Sequence, residues 1–231
     1  MNRLTHFRLC PHSRSIRLAL SEFGIECEMA EERPWEWRPD FLALNPSGDL
    51  PVLELEGNGV LAGAYAISEY LDEVRPGAEE GPGVTMFPGD AQGRAEVRRL
   101  VEWFHKKLDG EVTRELMREK LYSRVRPELA SHTPDPDLMR AIGANLRYHM
   151  SYMNHLADQR QWLAGDDMSF ADLAAAAHLS CLDYCNEVPW DEHPAARSWY
   201  ARVKSRPSFR PLLADRLVGV SPPKHYANLD F

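Results

Sequence analysis

The 231-residue chain is 44% hydrophobic and 27% charged, an ordinary globular composition that excludes collagen-like, low-complexity and disordered character. Its formal net charge of −8 argues against a dedicated nucleic-acid binder, which works by neutralising phosphates. The excess is uneven: residues 1–80 hold seven Arg, no Lys and 15 acidic residues, whereas residues 81–231 hold 20 of each sign, so two units with different surfaces are expected.

Residues 4–9 alternate apolar and polar and read as a strand. Pro11 and Ser13 then open a helical pattern at Ile16, Leu18, Ala19, Leu20 and Phe23, with Gly24 placed as its C-cap. Ile25 to Met29 alternates again. Beyond Trp35 and Trp37, a short amphipathic piece (Phe41, Leu42, Leu44) runs into the turn chemistry of Asn45-Pro46-Ser47-Gly48. Residues 51–55 are strand-like, Gly57-Asn58-Gly59 is a hairpin turn, Val60-Leu61 starts the returning strand, and Ala64 to Val74 is a helix. The order is β-α-β-(α)-β-β-α.

Residues 76–90 contain four Gly and three Pro without periodicity, which marks a domain boundary. Everything after it is helical. Val97, Val101, Phe104, Leu108, Val112 and Leu116 recur every three or four residues along one face of a long helix. Further helices fit 138–160, 169–186 and 194–216, and from Val218 a polar, proline-containing tail runs on. The division expected is 1–78, a linker at 79–90, a helical domain at 91–217 and a tail at 218–231.

Cysteines at 10, 27, 181 and 185 are too few and too irregular for a disulfide-stapled secreted domain. With no apolar leader pattern at the start and no run of about 18 apolar residues, a cytoplasmic chain without membrane insertion is expected.

Three local signals belong together: a strand running into Cys10-Pro11-His12-Ser13 and a helix, Asp49-Leu50-Pro51-Val52-Leu53 before a hairpin, and Ser169-Phe170-Ala171-Asp172 opening a helix. With the element order, they make the chain resemble the glutathione S-transferase family from residue 4 to about 215. That resemblance implies an α/β thioredoxin-like N-terminal domain plus an all-α C-terminal domain, a cis peptide at Leu50-Pro51, a ligand cleft at Leu50, Pro51, Gly63 and Ala64, and a homodimer. Ser169 with Asp172 also reads as a capping box, stapled by Met168 and Leu173.

Cys10, between a strand and a helix N-terminus, is placed where the helix dipole favours a thiolate. The resemblance makes this the catalytic position of the family and Cys10 the site of a mixed disulfide with glutathione, assisted by His12 or Ser13. A small buried hydrophobe is the alternative. Glutathione-using relatives grip the γ-glutamyl end with an acidic residue or Gln followed by Ser, where this chain has Gly63 and Ala64. Losing two hydrogen bonds to a charged group at about 1.5–3 kcal/mol each weakens binding by several powers of ten. Asp49 and the acidic domain add repulsion for an anionic tripeptide. Little glutathione binding, no catalytic residues and no cofactor are therefore expected. His178, Cys181 and Cys185 share one side of a helix, but it is the most apolar helix in the chain, where such residues are ordinary core. No metal is expected.

If the grip is lost, function falls to surfaces. Trp35, Trp37 and Arg38 in a proline-bounded loop have the composition of an interface hot spot, and alternate side chains point the same way if the loop is extended; packing beneath the loop is the plainer reading. Residues 94–126 hold ten basic and six acidic side chains, Arg114 and Arg118 among them. They fit either a solvated helix face paired internally, as Glu102 with Lys106 and Glu115 with Arg118, or a surface for an acidic protein partner. The tail with Tyr226, Leu229, Asp230 and Phe231 docks on its own body or on a partner.

Within the family, these features resemble its non-enzymatic cell-division members, which implies a homodimer that binds FtsZ polymers, curves them and promotes constriction. An omega- or glutaredoxin-like thiol transferase using Cys10 is the alternative.

Overall fold

The computed structural model describes residues 1–57, 59–77, 84–126 and 131–229; Asn58 of the expected hairpin turn, residues 79–83 of the expected linker, and Asp230 and Phe231 of the tail lie outside the described residues. The chain divides into two compact units, Met1–Phe87 and Pro88–Phe231. The first unit thus runs past residue 78. Asp72 draws the later residues in, accepting hydrogen bonds from the Thr85 hydroxyl (2.8 Å) and the Met86 N–H (2.6 Å), and Met86 and Phe87 are buried. Since residues 81–87 carry no ionisable side chain, the whole charge of −8 belongs to this unit.

In the first unit, strand β1 (Arg3–His6) leads to helix α1 (Pro11–Glu22), β2 (Glu28–Glu31), α2 (Pro39–Leu44), the hairpin β3 (Val52–Glu54) and β4 (Val60–Ala62), and helix α3 (Ala64–Val74). β1 stops short of Leu9 because the chain turns, Cys10 N–H donating to the Phe7 carbonyl (3.0 Å). Pro11 at the first helical position costs α1 no hydrogen bond, and Gly24, at φ +65°, follows the helix end with the left-handed backbone expected of it. The sheet order is β2-β1-β3-β4, with β1 parallel to β2 and antiparallel to β3, and β3 antiparallel to β4. Helices α1 and α3 pack on each other through a core that includes Ile16, Leu20, Ile67 and Leu71.

The second unit is helical: α4 (91–125), α5 (Pro136–Gln159), α6 (Phe170–Tyr184), α7 (Pro194–Lys204) and α8 (Arg210–Ala214). The six apolar residues from Val97 to Leu116 are all buried. From Phe104 to Leu116 they recur every fourth residue, a period longer than the 3.6 residues of an α-turn, so a straight α-helix would rotate that face away from the core. The helix winds instead into wide π turns over Trp103–Thr113 and again over Arg118–Tyr122, which keeps the face inward.

All fifteen residues of α6 are buried. Its capping box is formed, with the Ser169 N–H (2.9 Å) and hydroxyl (3.0 Å) donating to Asp172 Oδ2. Asp172 Oδ1 accepts from Leu163 N–H (2.9 Å) and Trp199 Nε1–H (2.8 Å), so one buried carboxylate ties three segments together. Burial pushes this carboxyl above its ordinary value, against the pull of the four donors.

The helix expected over 194–216 is broken. Pro207 forbids the helical conformation at Arg206, whose backbone is extended (φ −67°, ψ 146°), and a 3₁₀ turn at Pro207–Phe209 restarts the chain into α8. The segment after Val218 does not fray: Leu217 and Val220 bridge, and Lys224–Ala227 forms a 3₁₀ turn. Among the described residues no helix is long and apolar enough to cross a membrane.

Candidate functional site

The register of the sheet brings three segments to one end. Thr5 pairs with Val52 and Val52 with Ala62, so the end of β1, the start of β3 and the end of β4 lie side by side. Cys10 follows the first, the cis Leu50-Pro51 peptide precedes the second, and Gly63-Ala64 follows the third. Gly63 N–H donates to the Pro51 carbonyl (2.9 Å), joining the second and third of these segments.

Cys10 caps α1 with an extended backbone (φ −87°, ψ 119°) and is partly exposed. Burial pushes its thiol up, but hydrogen bonding and charge from His12, together with Ser13, outweigh that and leave it below the ordinary thiol value. The shift favours the thiolate, the form that a nucleophilic cysteine uses.

Gly63 and Ala64 present no polar side chain. Gly63 adopts φ +87°, a left-handed backbone that favours glycine, and Ala64 is the buried first residue of α3. Neither side chain donates or accepts a hydrogen bond. Asp49 is exposed beside them, its backbone fixed by the Ser47 hydroxyl (3.2 Å) and the Asn45 side-chain amide (2.9 Å). The end of the sheet therefore brings a thiol with a lowered pKa together with the cis Leu50-Pro51 peptide, the side-chain-poor Gly63-Ala64 pair and, next to Leu50, the exposed Asp49.

The Trp loop is not extended. Pro34–Glu36 forms a 3₁₀ turn and Trp37 is left-handed (φ 49°, ψ 41°), so the two indoles diverge rather than share a side. Trp35 packs edge-on to Phe7 at 5.0 Å. Trp37 is 63% exposed and leans on Gly48, where an added Cβ would stand 3.2 Å from the indole. Positive φ is an outlier for so bulky a residue. Arg38 follows, its guanidinium 2.6 Å from the buried carboxylate of Glu32.

Along α4 the expected pairs form, Lys106 with Glu102 (3.1 Å) and Arg118 with Glu115 (3.0 Å). Arg114 binds the buried Asp109 (2.8 Å), while Lys107 meets Glu111 and Lys120 meets Glu187. These five of the segment's ten basic side chains are thus paired with acids, one of them, Lys120, with an acid outside it.

Of the tail residues singled out, Tyr226 is fully buried. It faces its own helical unit rather than solvent, its ring 5.2 Å from that of Tyr184 and its hydroxyl donating to the Leu212 carbonyl (3.2 Å). His178 and Cys181 are buried and Cys185 is partly exposed; His178 sits between His105 (3.0 Å) and the Thr113 hydroxyl (2.9 Å). A cluster that periodicity does not announce lies under the tail. Asp183 and Lys204, both buried, face each other at 4.0 Å, and His225 reaches Asp183 at 3.0 Å. Its only sequence signal is a lysine on the apolar face of α7 made by Tyr200 and Val203.

Comparison with known proteins agrees with this architecture. FtsZ-localized protein A of Caulobacter vibrioides is 44% identical over 99% of this chain and 97% of its own length. The solved structure of FzlA from C. crescentus superposes with a TM-score of 0.92, at 44% identity, over 100% of this chain and 99% of that one. A glutathione S-transferase from Sinorhizobium meliloti 1021 superposes with a TM-score of 0.94, at 48% identity and full coverage of both chains. Residues 9–74 match the glutathione S-transferase N-terminal domain family and residues 113–207 its C-terminal domain family, so the chain belongs to the glutathione S-transferase family.

Proposed function

We propose that this chain is a non-enzymatic member of its family that acts in cell division as a cytoplasmic homodimer, binding FtsZ polymers at the division site and promoting their curvature and constriction. The observation that carries this reading is the end-to-end 44% identity to FtsZ-localized protein A. The bare Gly63-Ala64 corner supports it, because a glutathione enzyme needs a fixed partner for the γ-glutamyl charge there. A two-fold dimer supplies the mechanics: two copies of one docking face bridge or bend a filament. The proposed contacts are Trp35, Trp37 and Arg38 of the loop, Arg114 and Arg118 on α4, and the tail end from Leu229 to Phe231. A tagged chain should collect at mid-cell, and electron micrographs of FtsZ polymers should show tighter curvature when it is added; diffuse signal and unchanged polymers would count against the proposal.

A second reading rests on one observation, the lowered thiol of Cys10 beside His12 and Ser13. It makes the chain a glutathione-dependent thiol transferase, and it predicts a disulfide-exchange activity that Cys10→Ala abolishes.

A further inference from the structure

The segment after α8 is fastened at a few points over a costly piece of interior. Tyr184 holds its start, accepting from Leu217 N–H (3.2 Å) and donating to the Val220 carbonyl (2.7 Å), while Gly219 turns at φ +82° and Val218, 93% exposed, forms the tip. Pro222 and Pro223 follow, and the 3₁₀ turn then plants the Tyr226 ring and brings His225 Nε2 to Asp183 Oδ1. Beneath it, the Lys204 ammonium donates to the His225 carbonyl (3.3 Å) and lies over the rings of Tyr200 (5.8 Å) and Tyr226 (6.0 Å). Asp183 Oδ1 also accepts from Trp190 Nε1–H (2.9 Å), but Asp183 Oδ2 is buried without a hydrogen-bond partner, and Lys204 stays 4.0 Å from it.

We propose that residues 217–229 form a strap that opens as one piece from the folded helical unit, drawing the Tyr226 ring from its socket and returning water to the Asp183–Lys204 pair. The closed strap covers two charges that face each other at 4.0 Å without a hydrogen bond between them, and the cost of desolvation opposes the burial of such a pair. The ammonium records that cost: burial, against the charge of Asp183, pulls Lys204 down to about 8. Opening draws out the Tyr226 ring and breaks contacts at the strap while leaving the packing among α4 to α7 in place, so it costs less than global unfolding. Once open, thirteen residues reach about 40 Å, and any molecule that binds the inner faces of His225 and Tyr226 binds the open form alone. The inference stands on the strap's own geometry and does not depend on the partner proposed above.

Native-state hydrogen exchange of the full chain, read by mass spectrometry, tests it with wild type, Tyr226→Ala and Tyr226→Phe. In wild type the strap should exchange at least about tenfold faster than α6 after correction for intrinsic rates. Tyr226→Ala should speed the strap by about tenfold more while leaving α6 and α7 within about twofold, and Tyr226→Phe, which keeps the ring, should stay within about threefold of wild type. Equal protection of strap and α6 in wild type, or acceleration of α6 and α7 together with the strap in Tyr226→Ala, would overturn the proposal. The wild-type comparison stands even if a variant fails to fold.

Discussion

Restoring one hydroxyl to the cleft should bring glutathione back into measurable range. Gly63 and Ala64 stand where two polar side chains would hold a charged γ-glutamyl group, and each missing bond is worth about 1.5–3 kcal/mol, or one to two powers of ten in affinity. Ala64→Ser replaces the first residue of α3, where the serine hydroxyl sits beside the unsatisfied N–H groups of the helix start and costs the fold little. Replacing Gly63 is a poorer choice. An added Cβ meets nothing within 4 Å there, but φ +87° penalises any L side chain by about 1–2 kcal/mol. Calorimetric titration should therefore show wild type binding glutathione no tighter than millimolar and Ala64→Ser binding about 10–100-fold tighter. A micromolar dissociation constant for the unaltered chain would refute the reasoning, because the cleft would then hold its anion without the two contacts on which the estimate rests.

Asp172→Ala strands four buried donors, each costing about 1–3 kcal/mol when unsatisfied, so with partial relaxation the urea midpoint should report a loss of at least about 4 kcal/mol. A loss under about 1 kcal/mol would mean that water replaces the carboxylate. Glu96 is held at about 2 by the hydrogen bond from Arg99 and then by Arg160, so its contribution is complete above pH 4.5 and lost as pH falls through 2. Screened at the surface, that is about 1–2 kcal/mol, and Glu96→Gln should flatten the acid limb of the stability curve by this amount. Trp37→Gly relieves a positive φ and removes an exposed indole, so stability should move by no more than about 1 kcal/mol. If Trp37 is a hot spot, affinity for FtsZ polymers should fall by at least about 2 kcal/mol, some thirtyfold; unchanged affinity would remove the loop from the contact surface.

What was legible in the sequence was local. Alternation and punctuation placed the seven elements of the first unit, and the buried stripe of α4 could be read residue by residue. The same stripe also carries the signal of the wide turns, since an uninterrupted spacing of four from Phe104 to Leu116 exceeds the α period and coincides with the π turns. At the cleft, Gly63-Ala64 was visible as a departure from a motif, but the pairing of β3 with β4 and the Gly63–Pro51 bond were needed to show that it faces Leu50-Pro51. In the Trp loop, alternate side chains share a side only in an extended chain, and the 3₁₀ turn at Pro34 with the left-handed Trp37 sets the other outcome, with Trp35 packed on Phe7. For the tail, docking on its own body and docking on a partner are equally open from sequence, and only the contacts of Tyr226, which fills its own helical unit, decide between them at that residue. Asp183 and His225 are 42 residues apart and His105 and His178 are 73 apart, and periodicity says nothing about such pairings.

Co-sedimentation of the purified chain with FtsZ assembled by GTP tests the central claim most directly. The account predicts that at micromolar polymer most of the chain pellets with FtsZ, stays in the supernatant when FtsZ is unassembled, and is not displaced by glutathione. A chain that remains in the supernatant while FtsZ pellets would contradict it.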